Sequence, residues 1–275
     1  MLSQLVYINM LIYPAIMTDH TITLPSGLDL TIDETGPADA ARTVLVLHGG
    51  GGPFTIAPIA AHFADDSHVL VPTHPGWNGS PRPESLADIP ALAAVYLQLL
   101  ADRGLTDVLV IGSSLGGWIA TQLAASDTEG RIGRIVIIDG AGIDVPGEPT
   151  VDFASLSPRQ QAEHSWHDAD KFFVDPSNLP PERIAAQRAN MQTMAVLTSA
   201  HGMADPELQA KLGGIRIPAL VLWGDSDGVF TPGYGRAYAA QLGDARFELI
   251  ADAGHLPQLE QPVATLAAID AFLAE

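Results

Sequence analysis

The stretch DVLVIGSSLGGWIATQLAAS, residues 107–126, carries the reading of the whole chain. Its first part, residues 108–111, is a continuous run of valine, leucine and isoleucine, the composition of a strand covered on both faces. Its second part, Leu115–Ser126, is compatible with a helix. Between them Gly112-Ser113-Ser114-Leu115-Gly116 matches G-x-S-x-G. After a strand and before a helix, that pattern makes a tight elbow whose central serine projects beyond the sheet. The flanking glycines have no Cβ, so turn and helix can pack closely. A glycine-rich turn with a purely structural serine is the plain alternative, and the strand–helix context weighs against it. Ser113 stands one position too early for the motif.

Outward from this unit the same rhythm repeats. TVLVLHGGGG (43–52), HVLVPTHPGWNGS (68–80), RIVIIDGAG (134–142), IPALVLWGDSD (217–227) and RFELIADAGH (246–255) are apolar runs that end in glycine, proline or aspartate loops. Helical stretches are expected at 53–65, 84–103, Leu115–Ser126, 232–242 and 261–274. Alternation of this kind predicts an α/β fold with a mostly parallel, doubly wound sheet. HTITLP and LDLTIDE flank Ser26-Gly27, a hairpin signal that adds an antiparallel edge. Residues 144–213 break the rhythm with proline-marked boundaries and helical pieces at 157–173, 181–199 and 205–212. The expected organisation is a core in two parts, 18–143 and 214–275, with a helical lid, 144–213, inserted between core strands.

The first seventeen residues are apolar but lack the basic start and cleavage site of a secretory signal. They are too short and too interrupted for a confident membrane span. An extension ahead of a natural start at Met17, a packed N-terminal segment and a weak targeting sequence all remain open.

The chain has 275 residues, 47% of them apolar, enough for one large domain. Its 32 acidic and 13 basic residues give a formal charge of −19, which argues against nucleic acid and against an anionic membrane surface. There is no cysteine, so disulfides, thiolate catalysis and Cys-ligated zinc are excluded. A soluble, cytoplasmic protein acting on a small molecule is expected, with no cofactor; oligomeric state is not readable.

A serine hydroxyl needs an adjacent base and donors for the oxyanion formed on attack. His255 follows the last apolar run, at the strand end where ligands gather in open α/β sheets. Asp225 and Asp227 follow the preceding strand at the same end, and Asp139 is a third candidate acid. The Leu115 amide is one expected oxyanion donor. The second is expected from the glycine loop after His48, with Gly50 first and Gly51 next. No Gly-Lys-Ser/Thr follows those glycines, so a phosphate loop is not supported. His164 and His167 lie on one helical face, but a metal site needs a third ligand. No metal is expected there.

Taken together, LHGGGG, HPGWNGS, GSSLGG, WGDSDGVFTP and AGHLPQLEQP resemble the α/β-hydrolase family over nearly the whole span from Thr21 to Leu273. The resemblance implies a Ser114–His255–Asp227 triad, chooses Asp227 over Asp225, assigns the oxyanion donors to Gly50 and Leu115, and implies a helical lid. It points to hydrolysis of an ester or related acyl compound through an acyl-enzyme. LHGGGG followed by GSSLGG is also similar to the meta-cleavage-product hydrolases, which break carbon–carbon bonds. Ser113 and Leu256 stand where those enzymes commonly have Asn and Trp. Their carboxylate-binding lid arginine corresponds to Arg183 or Arg188. Dehalogenases and epoxide hydrolases of this fold carry Asp at the nucleophile position, and Ser114 argues against both. A small-ligand receptor that retains the triad without turnover is the non-enzymatic alternative.

Overall fold

A computed structural model describes residues 19–149 and 151–275. The expectations for the first seventeen residues lie outside the described part. Eight strands form one sheet: β1 (His20–Thr23), β2 (Asp29–Thr35), β3 (Thr43–Leu47), β4 (His68–Pro72), β5 (Val108–Ser113), β6 (Ile132–Ile138), β7 (Ala219–Gly224) and β8 (Ala245–Ile250). Their order is β1-β2-β4-β3-β5-β6-β7-β8. The β1–β2 and β2–β4 pairs are antiparallel, and every other pair is parallel. The expected hairpin thus forms the antiparallel edge.

Strand alternation sorts the core into two layers. Leu45, Leu47, Val110, Ile135, Ile137, Val221 and Trp223 face one side. Val44, Val46, Ile111, Val136, Ile138, Leu220 and Leu222 face the other. Helices α1 (Ala57–Phe63), α2 (Ile89–Asp102), α3 (Leu115–Ser126), α4 (Pro158–Ser165), α5 (Ala169–Phe172), α6 (Pro181–Leu197), α7 (Pro206–Gln209), α8 (Pro232–Gln241), α9 (Pro257–Glu260) and α10 (Pro262–Leu273) follow in chain order. Tyr96 of α2, Ile119 and Leu123 of α3 and Tyr238 of α8 cover the first face. Ile59 and Phe63 of α1 and Ile269 and Phe272 of α10 cover the second. No described helix is long and apolar enough to cross a membrane.

Two helices differ instructively from their expected bounds. The helix expected at 84–103 begins only at Ile89, because the Asp88 side chain caps it by accepting from Ala91 N–H and Pro90 occupies the first turn. The helix expected at 157–173 is broken between α4 and α5, where Trp166 is extended and Asp168 caps the second piece. At that break the 144–213 segment meets the loop after β8. The segment runs between β6 and β7.

Ile137 is fully buried in the central strand β6. Ile137→Ala should lower unfolding free energy by about 2–5 kcal/mol. Urea titration followed by circular dichroism checks this; an unchanged midpoint would contradict the layered packing.

Candidate active site

Ser114 occupies the turn between β5 and α3 with φ 56° and ψ −118°. Its amide donates to Ile138 O at 2.8 Å, and its carbonyl accepts from Gly117, Trp118 and Ala141 N–H. Both glycines of the motif are sterically required. A Cβ on Gly112 would overlap the Gly116 carbonyl, and one on Gly116 would overlap the Leu47 carbonyl.

His255 follows β8, and its Nε2 lies 2.9 Å from Ser114 Oγ. Its Nδ1 lies 2.9 Å from Asp227 Oδ2. The second Asp227 oxygen accepts from Val229 N–H at 2.7 Å and Phe230 N–H at 3.2 Å. The Asp227 side chain has no exposed surface. Asp225 lies outside this chain of bonds: its carboxylate accepts from the Ser226 hydroxyl at the surface.

The glycine loop after β3 runs beside the serine, since a Cβ on Gly49 would sit 2.9 Å from Ser114 Cβ. Three successive carbonyls of this loop are pinned. His48 O accepts from His74 Nε2–H at 2.9 Å. Gly49 O accepts from His48 Nδ1–H at 2.7 Å and from Gly52 N–H at 3.1 Å. Gly50 O accepts from the Trp77 indole N–H at 3.0 Å. A trans peptide sets its N–H opposite its carbonyl, so fixing Gly49 O fixes the direction of Gly50 N–H. Among the described residues, the amides of Gly50, Gly51 and Leu115 donate to no protein acceptor.

The partners also fix the histidine tautomers. His48 Nε2 accepts from His74 N–H, leaving its proton on Nδ1. His74 Nδ1 accepts from the Tyr96 hydroxyl at 2.5 Å, leaving its proton on Nε2. Burial pushes the His48 pKa well below the usual imidazole range and takes that of His74 down to about 4. The loop after β4 places His74 near the site, but the particular partners of His74, Tyr96 and Trp77 carry no signal in their neighbours in sequence.

The 144–213 segment is bonded to the loops carrying Asp227 and His255. Gly228 N–H donates to His164 O at 2.9 Å, and His255 N–H donates to Ser165 O at 2.8 Å. The Glu260 carboxylate accepts from Gly254, His167 and Asp168 N–H, bridging the His255 loop to the break between α4 and α5. Burial raises the Glu260 pKa. His164 and His167 face different partners, Gly228 O and Ser226 Oγ. From α6, Met194 packs against Gly50. A small cavity beside the glycine loop is lined by Gly51, Phe54, Asn78, Arg183, Gln187 and Asn190. One trio among the described residues, Asp139, Asp227 and His255, brings possible metal-ligand atoms within 4.8 Å of one another. Asp227 and His255 already bond to each other there.

Two outcomes follow from this geometry. Gly116→Ala should lower the melting temperature and the soluble yield, because neither the Leu47 nor the His48 backbone can withdraw from the added methyl. Calorimetry checks it. His48 and His74 stay neutral when folded but bind a proton near pH 6.5 when unfolded. Stability therefore falls as pH drops from about 6.5 towards 4, by about 1.4 kcal/mol per pH unit for each histidine. Urea midpoints over this interval test the slope. His74→Gln should remove one histidine's share, and an equal slope in that variant would contradict the assignment.

Comparison with known proteins completes the picture. The model of the "Alpha/beta hydrolase family" matches residues 44–269. Lipase 1 of Psychrobacter immobilis is 27% identical over 253 residues, covering 87% of this chain and 79% of the lipase. The 2-hydroxy-6-oxononadienedioate/2-hydroxy-6-oxononatrienedioate hydrolase 1 of Pseudomonas putida is 24% identical over 269 residues, covering 88% of this chain and 92% of that protein. Among solved structures, an esterase from Exiguobacterium antarcticum superposes with a TM-score of 0.74 at 16% identity, covering 93% of this chain and 99% of the esterase. With its sheet order, its strand–elbow–helix unit and a family match across most of its length, the chain belongs to the alpha/beta hydrolase family.

Proposed function

We propose that the protein is a serine hydrolase that cleaves an ester or related acyl compound through an acyl-enzyme. The observation that carries this reading is the unbroken chain of bonds from Asp227 through His255 to Ser114, with 2.9 Å at each link. His255 Nε2 takes the Ser114 proton as Oγ attacks the substrate carbonyl. The tetrahedral oxyanion lies between the Gly50 and Leu115 amides, where preorganised donors stabilise developing charge. Collapse of the intermediate transfers the proton from His255 to the leaving group. Water then attacks the acyl carbon as His255 takes its proton, the bond to Ser114 Oγ breaks, and His255 returns the proton to Oγ as the acid leaves. Asp227 holds the imidazole with its proton on Nδ1 and stabilises the imidazolium.

In this reading residues 144–213 serve as the lid. Its helix α6 covers the glycine loop, and its 164–168 stretch anchors it to the acid and base loops. The lid and the loop cavity select the substrate, a small molecule.

A second reading is favoured by Arg183. Its guanidinium stands 6.0 Å from the Phe54 ring and lines the cavity beside the glycine loop, with no carboxylate partner among the described residues. A substrate carrying its own carboxylate would meet that cation. This suits a carbon–carbon bond hydrolase, and the Pseudomonas putida relative is named as a hydrolase of oxo dienedioates, compounds that carry carboxylates.

Parallel assays with short p-nitrophenyl esters and a 2-hydroxy-6-oxo dienoate separate the two readings. Turnover of the esters is expected to dominate, and Ser114→Ala should lower kcat by about 10⁴-fold or more while leaving the melting curve intact. Wild-type turnover by Ser114→Ala would refute the nucleophile. Preference for the dienoate, weakened through KM by Arg183→Gln, would establish the second reading. Tight binding of either compound without turnover would point to a receptor.

A further inference from the structure

Behind His255 stands a second carboxyl that the triad does not use. Asp139 directly follows β6, is completely buried, and adopts φ 46°, a left-handed conformation that costs an L-residue free energy. Its Oδ1 accepts from Gly224 N–H at 2.9 Å. Its Oδ2 meets no N–H or hydroxyl donor among the described residues. What it does meet is acid and base. One of its carboxyl oxygens lies within 4.8 Å of both an Asp227 carboxyl oxygen and a His255 ring nitrogen.

Two carboxyls in one buried site cannot both carry full charge. Asp227 already has its charge matched, by two amide donors on Oδ1 and by His255 on Oδ2. Asp139 has one amide donor. The proton therefore belongs on Asp139, and burial together with the Asp227 charge pushes its pKa well above the usual carboxyl range. Glu260 is the remaining acidic group acting on it, and adds to the same push. A protonated Asp139 turns an acceptor with no donor into a donor facing the Asp227 carboxylate.

We propose that Asp139 is a positioning residue of the site: it donates a hydrogen bond to the Asp227 carboxylate in the intact protein, and takes over stabilisation of the His255 imidazolium when Asp227 is neutralised. In the second situation Asp139 gives its proton to solvent and becomes a carboxylate within 4.8 Å of the imidazole. The inference rests on the Ser114–His255–Asp227 reading above.

The test is a double-mutant cycle in kcat with a p-nitrophenyl ester, using wild type, Asp139→Asn, Asp227→Asn and the double variant. In the wild-type background Asp139→Asn should cost only about 3-fold, because the amide still donates to Asp227. In the Asp227→Asn background it should cost at least about 10-fold more, since the amide cannot ionise. Asp227→Asn alone should then fall short of the roughly 10⁴-fold loss expected when an orienting Asp is replaced by Asn with no second carboxyl to take over. Equal factors in the two backgrounds would overturn the proposal and leave Asp139 as a brace between β6 and β7, with the triad reading intact. Undiminished turnover in both Asp227→Asn and the double variant would instead overturn the acid assignment itself. Thermal melts accompany each variant. If the double variant does not unfold cooperatively, Asp139→Ser in the same two backgrounds supplies the comparison.

Discussion

At φ 56° and ψ −118°, Ser114 occupies a conformation that costs an L-residue about 1–3 kcal/mol. The flanks of the turn outweigh that cost. Val110 and Ile111 before it and Ile119 and Leu123 after it are fully buried, and each contributes about 1.5–3 kcal/mol by leaving water. Four backbone bonds hold the turn itself, with Ile138, Gly117, Trp118 and Ala141 as partners. The site depends on this constraint. The same turn that lifts the hydroxyl towards His255 starts helix α3 at Leu115 and brings the Gly49 backbone against the serine. The Ser114 hydroxyl, the His255 imidazole and the Gly49 backbone therefore meet in the folded chain.

The supports around that turn divide by chemistry. On one side, the glycine loop is fixed through its carbonyls by neutral imidazoles and an indole, which leaves amides free to act as donors. Neutral groups suit this position, because a buried imidazolium would cost desolvation and could not accept from the His74 amide. On the other side, the loops of Asp227 and His255 are held by carboxylates. Asp227 takes two amides, and Glu260 takes the amides of Gly254, His167 and Asp168. The 144–213 segment is thus bonded to the loops of Asp227 and His255, and the helix break between α4 and α5 supplies the His167 and Asp168 amides to Glu260.

The sequence was most informative where function and local backbone geometry coincide. Strand β5, Ser114 and helix α3 are all legible from one 20-residue stretch, because the motif is a local conformational demand. His255 and Asp227 were legible by their place at strand ends, though Asp227 was separated from Asp225 only by family resemblance. The structure separates them by burial: Asp227 turns inward to three donors, whereas Asp225 stays at the surface. What stayed hidden was set by tertiary contact. His74 and Trp77 reach the glycine loop across 26 and 27 positions, and Glu260 reaches His167 across 93. No local pattern encodes those separations. The break at Trp166 was missed for the same reason, since residues on both sides suit a helix and only docking against the His255 loop favours an extended backbone there.

The central claim is that Ser114 is the nucleophile, activated by its own site. Covalent trapping measures this without reference to any natural substrate. The folded protein would be treated with a fluorophosphonate, digested, and its peptides sequenced by mass spectrometry. A single stoichiometric phosphonyl adduct on Ser114, formed with loss of fluoride, is expected, with strongly slowed labelling in His255→Ala. An adduct on Ser113 or another residue, or labelling of Ser114 at an equal rate without His255, would contradict it.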